Sequence, residues 1–270
     1  MAETPIGAET SIAVFIDFEN LALAFPSRAT VDLDVERILG RMLEKGKILV
    51  KKAYADWGRY SKHKKALHEH AIELIEIPHR TLSGKNSADI RLVVDAMDLS
   101  YSKDHINTFV IVSGDSDFSP LVAKLKENGK HVIGMGMKNS TSQLLMESCD
   151  DFIFYENLEP TAAPKTDSTA IPSTVPDDRA EMFRLLFRAV EALQRENKEL
   201  IYASMVKDTM KRMRPSFHET SVGYRSFSEL LEEAEDERLV ELKVDPRSGT
   251  YLVSPAARKK RSRRPRAKRP

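Results

Sequence analysis

From Ser11 to Leu158 the chain repeats one pattern: a short apolar run, an amphipathic stretch of helical spacing, then the next run. That alternation limits the fold more than any other feature. SIAVFID (11–17), KILVKKAYADW (47–57), IELIEIPHR (72–80), TFVIVSGD (108–115), KHVIGMGM (130–137) and FIFYENL (152–158) read as strands. DLDVERILGRMLEKG, SKHKKALHEHA, NSADIRLVVDAMDLSYS, DFSPLVAKLKENG and TSQLLMESCD read as the helices that separate them, with polar residues alone after the first strand. Strands joined through helices of this length need right-handed crossovers. The predicted class is therefore α/β, a mostly parallel sheet with helices on both faces.

Residues 159–179, EPTAAPKTDSTAIPSTVPDDR, carry four prolines among Thr, Ser and Ala and read as a linker. Beyond it, EMFRLLFRAVEALQREN, LIYASMVKDTMKRMR and SFSELLEEAEDERL read as helices, and LVELKVDPRSGTYLV as two strands about a turn at Asp245–Gly249. Three helices and a hairpin describe a small α+β winged helix. The expected division is 1–158 for the first domain, 159–179 for the linker, 180–254 for the winged helix and 255–270 for a basic tail. Residues 258–270 hold nine basic residues and no acid, whereas the rest of the chain carries 33 basic and 41 acidic residues. A block of like charge does not fold alone; it is a polyanion-binding arm or a solvated end.

No apolar run is long enough to span a bilayer. The N-terminus MAETPIGAET lacks the basic and apolar regions of a secretory signal. Cys149 is the single cysteine, which excludes an intramolecular disulfide and a zinc–thiolate cluster. The expectation is a soluble cytoplasmic protein with no membrane partner.

The chemistry lies in the acids. Asp17 ends the first strand, and Asp115 and Asp117 follow the fourth in SGDSD. In a doubly wound sheet, ligands bind at the carboxyl ends of strands where strand order reverses. If strands one and four are neighbours, these three acids converge there. Asp89 opens the helix after strand three. Asp95, six residues on, is turned about 600° and does not share its face, so Asp89 is the better candidate and Asp95 is either a supporting residue behind the acids or a surface residue. Carboxylates crowded together need a counter-charge. A hard divalent cation supplies it, and magnesium suits a few aspartates and a substrate phosphate. Such an ion activates water and stabilises a leaving oxygen. Taken singly, each aspartate is as readily a helix cap or loop residue. Ser113 hydrogen-bonding an aspartate, and Asn20 orienting Asp17 or meeting a phosphate, are supporting candidates.

FIDFENL, KNSADIRLVVDAMD and IVSGDSDFSPLV together resemble the NYN domain, a branch of the PIN-like nuclease superfamily, over about residues 11–157. The resemblance implies a PIN-like sheet and a magnesium- or manganese-dependent ribonuclease. It places the metal and catalytic positions at Asp17, Asp89, Asp115 and Asp117. It matches Asn20 to the family's polar partner of the first aspartate, and Asp95 to a second recurring acid on the middle helix. RPSFHETSVGYRSFSELLEEAEDERLVELKVDPRSGTYLV resembles the OST-HTH, or LOTUS, domain. That family is associated with RNA binding and, in some members, with protein partners.

RNA contacts are expected at Lys85, Lys207, Lys211, Arg212, Arg214, Tyr224 and Arg225, with Phe217, Phe227, Leu230 and Leu231 as core. Trp57 and Tyr60 are either a stacking platform or an ordinary aromatic pair. Ser140, Thr141 and Ser142 read first as helix caps and second as phosphate contacts. His63, His68 and His70 read as surface residues. The leading expectation is RNA phosphodiester hydrolysis, with RNA concentrated by the winged helix and tail. The alternative is a non-catalytic RNA-binding adaptor built from the same two domains. A haloacid-type phosphatase would need DxD after its first strand, where this chain reads DFE, and a Toprim enzyme would need a glutamate where Asp17 stands.

Overall fold

The computed structural model describes residues 10–24, 34–77, 87–158, 177–196, 198 and 200–256. Lys85, residues 159–176 of the expected linker and residues 257–270 of the basic tail lie outside them. The chain divides into two compact units, Met1–Pro164 and Lys165–Pro270.

In the first unit β1 (Ser11–Asp17), α1 (Phe18–Ala24), α2 (Val35–Lys45), β2 (Lys47–Ala55), α3 (Lys64–Glu69), β3 (Glu73–Glu76) and α4 (Ser87–Ser102) follow in order. Then come β4 (Thr108–Val112), α5 (Ser119–Glu127), β5 (His131–Gly136), α6 (Gln143–Ser148) and β6 (Asp151–Phe154). The six strands form one sheet in the order β3-β2-β1-β4-β5-β6. Every neighbouring pair is parallel, so the sheet is wholly rather than mostly parallel.

The period of two in β1 explains why both of its faces are apolar. Ile12, Val14 and Ile16 enter one core with Ile38, Met42, Trp57 and Tyr155. Ala13 and Phe15 enter the other with Leu92, Ala96, Phe118 and Leu125. β4 divides in the same way, Val110 and Val112 on the first face, Phe109 and Ile111 on the second. Asp34 caps α2 by accepting the Arg37 N–H. Beyond α5, Gly129 takes φ +70°, where a side chain would be strained.

Helix α1 departs from the sequence reading, which left the residues after Asp17 as a polar stretch. Phe18 and Leu21 are buried three residues apart, and that pair is enough to hold a short helix on the sheet.

The second unit contains α7 (Asp177–Arg195), α8 (Ala203–Met213), α9 (Phe227–Asp236), β7 (Val240–Val244) and β8 (Tyr251–Pro255). Helix α7 starts at Asp177, so the last three residues of the expected linker are helical. β7 and β8 pair antiparallel, and Tyr202 bridges to Leu252. Its core joins Phe183, Leu186, Val190, Val206 and Met210 with Phe217, Phe227, Leu230, Leu231 and Val253. Among the described residues no helix is long and apolar enough to cross a membrane.

Candidate active site

β1 and β4 are neighbours, paired from Ile12–Thr108 to Ile16–Val112. Strand order reverses between them: β2 and β3 lie on one side, β5 and β6 on the other. Asp17 and Ser113 are the next residues beyond that register. By alternation both fall on the face covered by α4 and α5.

Asp17 is 4% exposed. The Ser113 hydroxyl donates to its Oδ2 at 2.9 Å, and the Asn20 N–H to its Oδ1 at 3.2 Å. Ser113 Oγ in turn accepts the Asp115 N–H at 3.2 Å, and Asp115 Oδ1 accepts the Asp117 N–H at 3.0 Å. The Asn20 side chain closes a second link, its Oδ1 accepting the Gly114 N–H at 2.9 Å. Thus α1 begins directly after Asp17 so that Asn20 can tie the end of β1 to the loop after β4. Removing that acceptor by Asn20→Ala strands a backbone N–H at a buried glycine. We expect a loss of about 1–3 kcal/mol, measured by thermal unfolding.

Gly114 allows another close approach. A Cβ there would lie 2.9 Å from the Ser140 carbonyl oxygen and 3.1 Å from Thr141 Cα. Both are backbone atoms, so Gly114→Ala must push the β5–α6 loop away from the acids, at a cost of roughly 1–3 kcal/mol. Emission from Trp57, the single tryptophan, reports the shift in unfolding midpoint.

The acids act on one another. Burial is the largest cause that pushes Asp17 up to about 7, and the charges of Asp89 and Asp115 add to it against the bonds from Asn20 and Ser113. Asp89, half-buried at the first turn of α4, is pushed up to about 6 by burial and by Asp115, Asp117 and Glu19. Asp115 is half-buried and Asp117 exposed. The structure therefore gathers Asp17, Asp89, Asp115 and Asp117 into one electrostatic cluster.

Glu19 belongs to the same field and escaped the sequence reading as a site residue. Its Oε1 accepts the Asp56 N–H at 2.8 Å, joining α1 to the end of β2. The signal was present, since a helix opening at Phe18 puts Glu19 in its first turn beside Asp17.

Asp95 lies elsewhere. It accepts from Tyr54 Oη at 2.9 Å, Arg91 Nε at 2.9 Å and Lys52 Nζ at 3.2 Å. These donors hold its carboxyl below the usual range despite burial. Its charge is not among those that raise Asp17 or Asp89. Asp95 braces α4 against β2 and does not face the acids.

Trp57 is buried against Phe18, with Nε1 donating to the Ile75 carbonyl, so it offers no face to a base. Tyr60 and His63 also pack on Phe18, and His63 is half-buried rather than a surface residue. Thr141 donates back to the Met137 carbonyl, and Ser142 caps α6 without a side-chain bond.

In the second unit Lys207 pairs with Glu219, and Arg214 with Glu181. Arg212 bonds Thr209 Oγ1, while Lys211 and Arg225 are exposed. Tyr224 is buried at 3% exposure with Arg179 over its ring, which removes it from the candidate RNA contacts.

The donor set is all oxygen, as a hard divalent cation requires. Among the described residues no three His, Cys, Asp or Glu side chains stand close enough to ring a metal.

A wholly parallel α/β sheet with acids gathered at its switch point is the architecture of a PIN-like domain. The sequence pattern of the NYN domain matches residues 11–158, and the chain belongs to that family. NYN domains are a branch of the PIN-like superfamily, whose members are generally nucleases that use divalent metals. An uncharacterised protein of Methanocaldococcus jannaschii is 30% identical over 146 residues, 53% of this chain and 54% of that protein. The chain thus spans about half the length of that relative. A Vibrio parahaemolyticus protein of unknown function aligns with TM-score 0.49 and 22% identity, covering 58% of this chain and 98% of the other.

Proposed function

We propose that this protein is a divalent-metal-dependent ribonuclease that hydrolyses RNA phosphodiesters at the carboxyl ends of β1 and β4. The observation that carries this reading is the buried Asp17 at the switch point, held by Ser113 and the Asn20 N–H and linked through Ser113 to Asp115 and Asp117, with burial first and then Asp89 and Asp115 pushing its carboxyl up. A fold gains no stability from such crowding, and strongly displaced carboxylates of this kind mark functional sites. Asp17, Asp89, Asp115 and Asp117 would hold magnesium or manganese. When bound, the ion polarises the phosphate and an attacking water and offsets charge on the leaving oxygen.

The chain's own groups do the positioning. Ser113 and the Asn20 N–H fix the Asp17 carboxylate, and the Asn20 side chain holds the Gly114 loop. With Oδ1 so engaged, Asn20 Nδ2 donates to a phosphate oxygen of the substrate.

The second unit, as a LOTUS-like winged helix, captures RNA through Lys207, Lys211, Arg212, Arg214 and Arg225, and the basic tail adds non-specific attraction. The single cysteine suits a reducing cytoplasm.

The test is cleavage of labelled single-stranded RNA by the purified chain with magnesium, with manganese and with EDTA. Metal-dependent cutting abolished by EDTA is the expected result. Tight binding of several RNAs without cutting would replace this reading with the adaptor.

A further inference from the structure

Helix α4 is buried against the sheet through Ala88, Leu92, Ala96 and Ser100. A second apolar stripe runs along the same helix in solvent. Ile90 is 62% exposed, Val94 55% and Tyr101 61%, and the half-buried Met97 lies in line with them. Positions 90, 94, 97 and 101 step by four, three and four residues. At about 100° per residue they fall within roughly 60° of one another around the helix. This is the spacing of a helix–helix seam. Scattered exposed apolar residues are ordinary, but a continuous stripe marks a surface that meets another protein.

One edge of the stripe carries charge. Arg91 and Asp98, seven residues apart and both exposed, lie on the same flank. Arg91 spends Nε on Asp95, which leaves its terminal nitrogens for a further acceptor.

We propose that α4 is the seam of an antiparallel homodimer, in which Ile90, Val94, Met97 and Tyr101 interlock with the same residues of a second copy. The charges select this occupant. A two-fold axis between Val94 and Asp95 keeps each flank on its own side. It sets Arg91 opposite Asp98 of the partner subunit, twice. A surface complementary to itself in this way is the signature of an isologous interface. Because Asp89 lies in the first turn of α4, the two acidic clusters stand toward opposite ends of the seam, roughly 16 Å apart along the helix axis. The dimer forms whether or not the acidic crevice cuts RNA.

Sedimentation equilibrium of the full chain over a dilution series tests it. The wild type is expected at twice 30.5 kDa and Val94→Arg at 30.5 kDa. Asp98→Arg, which sets Arg against Arg, should weaken the dimer at least tenfold. Trp57 emission confirms that each variant is folded. Oxidised Val94→Cys should cross-link across the axis, whereas Asp104→Cys, exposed beyond the helix, should not. The native Cys149 is half-buried, and the wild type oxidised in parallel controls for it. A wild type that stays monomeric hands this face to a different partner and overturns the proposal. So does a dimer that survives both Val94→Arg and Asp98→Arg.

Discussion

If the proposed ribonuclease reading holds, Asp115→Asn is expected to lower the rate of RNA cleavage by roughly a thousandfold, the equivalent of about 4 kcal/mol of lost transition-state stabilisation. The substitution suits the site because it changes charge and little else. Asn keeps the Oδ1 that accepts the Asp117 N–H, and the backbone N–H that donates to Ser113 is untouched. The loop after β4 therefore holds its shape while the cluster loses one negative charge. Asp17 and Asp89, both raised in part by Asp115, fall toward their ordinary range. A variant with the unfolding midpoint of the wild type and almost no cleavage places the chemistry at this crevice. Equal cleavage by the two proteins would place it elsewhere, or in a contaminant.

That Asp115 could be chosen at all comes from the sequence. Apolar runs ending in acids are local patterns, and a parallel sheet puts the carboxyl ends of all its strands on one edge. Asp17 and Asp115 were therefore legible once β1 and β4 were taken as neighbours. Asp95 was not. Its donors Lys52 and Tyr54 lie 43 and 41 residues away on β2, and only the β1–β2 pairing brings them to α4. Tyr224 misled for a related reason, and Trp57 stayed open between a stacking platform and an ordinary aromatic pair. An aromatic beside basic residues reads alike in sequence whether the ring faces water or core, and tertiary packing puts both in the core. Glu19 was hidden by a missed helix, because without α1 there is no reason to place it beside Asp17.

The second large effect is on stability and runs opposite to activity: Asp17→Asn makes the metal-free protein more stable at pH 8. In the unfolded chain Asp17 ionises near 3.8, and in the folded protein near 7. Below about pH 4 the group is protonated in both states and contributes nothing. Between about 4 and 7 the folded state keeps a proton that the unfolded state has released, so stability falls as pH rises. Above about 7 the penalty is complete, at ~4 kcal/mol for a displacement of this size. The uncharged amide of the Asp17→Asn variant removes it. The same change gives back about 1 kcal/mol because the Ser113 hydroxyl loses its carboxylate acceptor. The net gain of about 3 kcal/mol raises the midpoint of a unit this size by roughly 10 °C at pH 8, and the gain vanishes toward pH 4. A metal ion acts on the same imbalance. On the proposed reading, magnesium is expected to stabilise the wild type by mass action, and Asp17→Asn to lose much of that increment. Thermal unfolding of both proteins from pH 4 to 8, with EDTA and then with magnesium, separates the terms. A variant no more stable than the wild type at pH 8 in EDTA would mean that Asp17 carries no such strain, and the strongest physical mark of the crevice as a site would be gone.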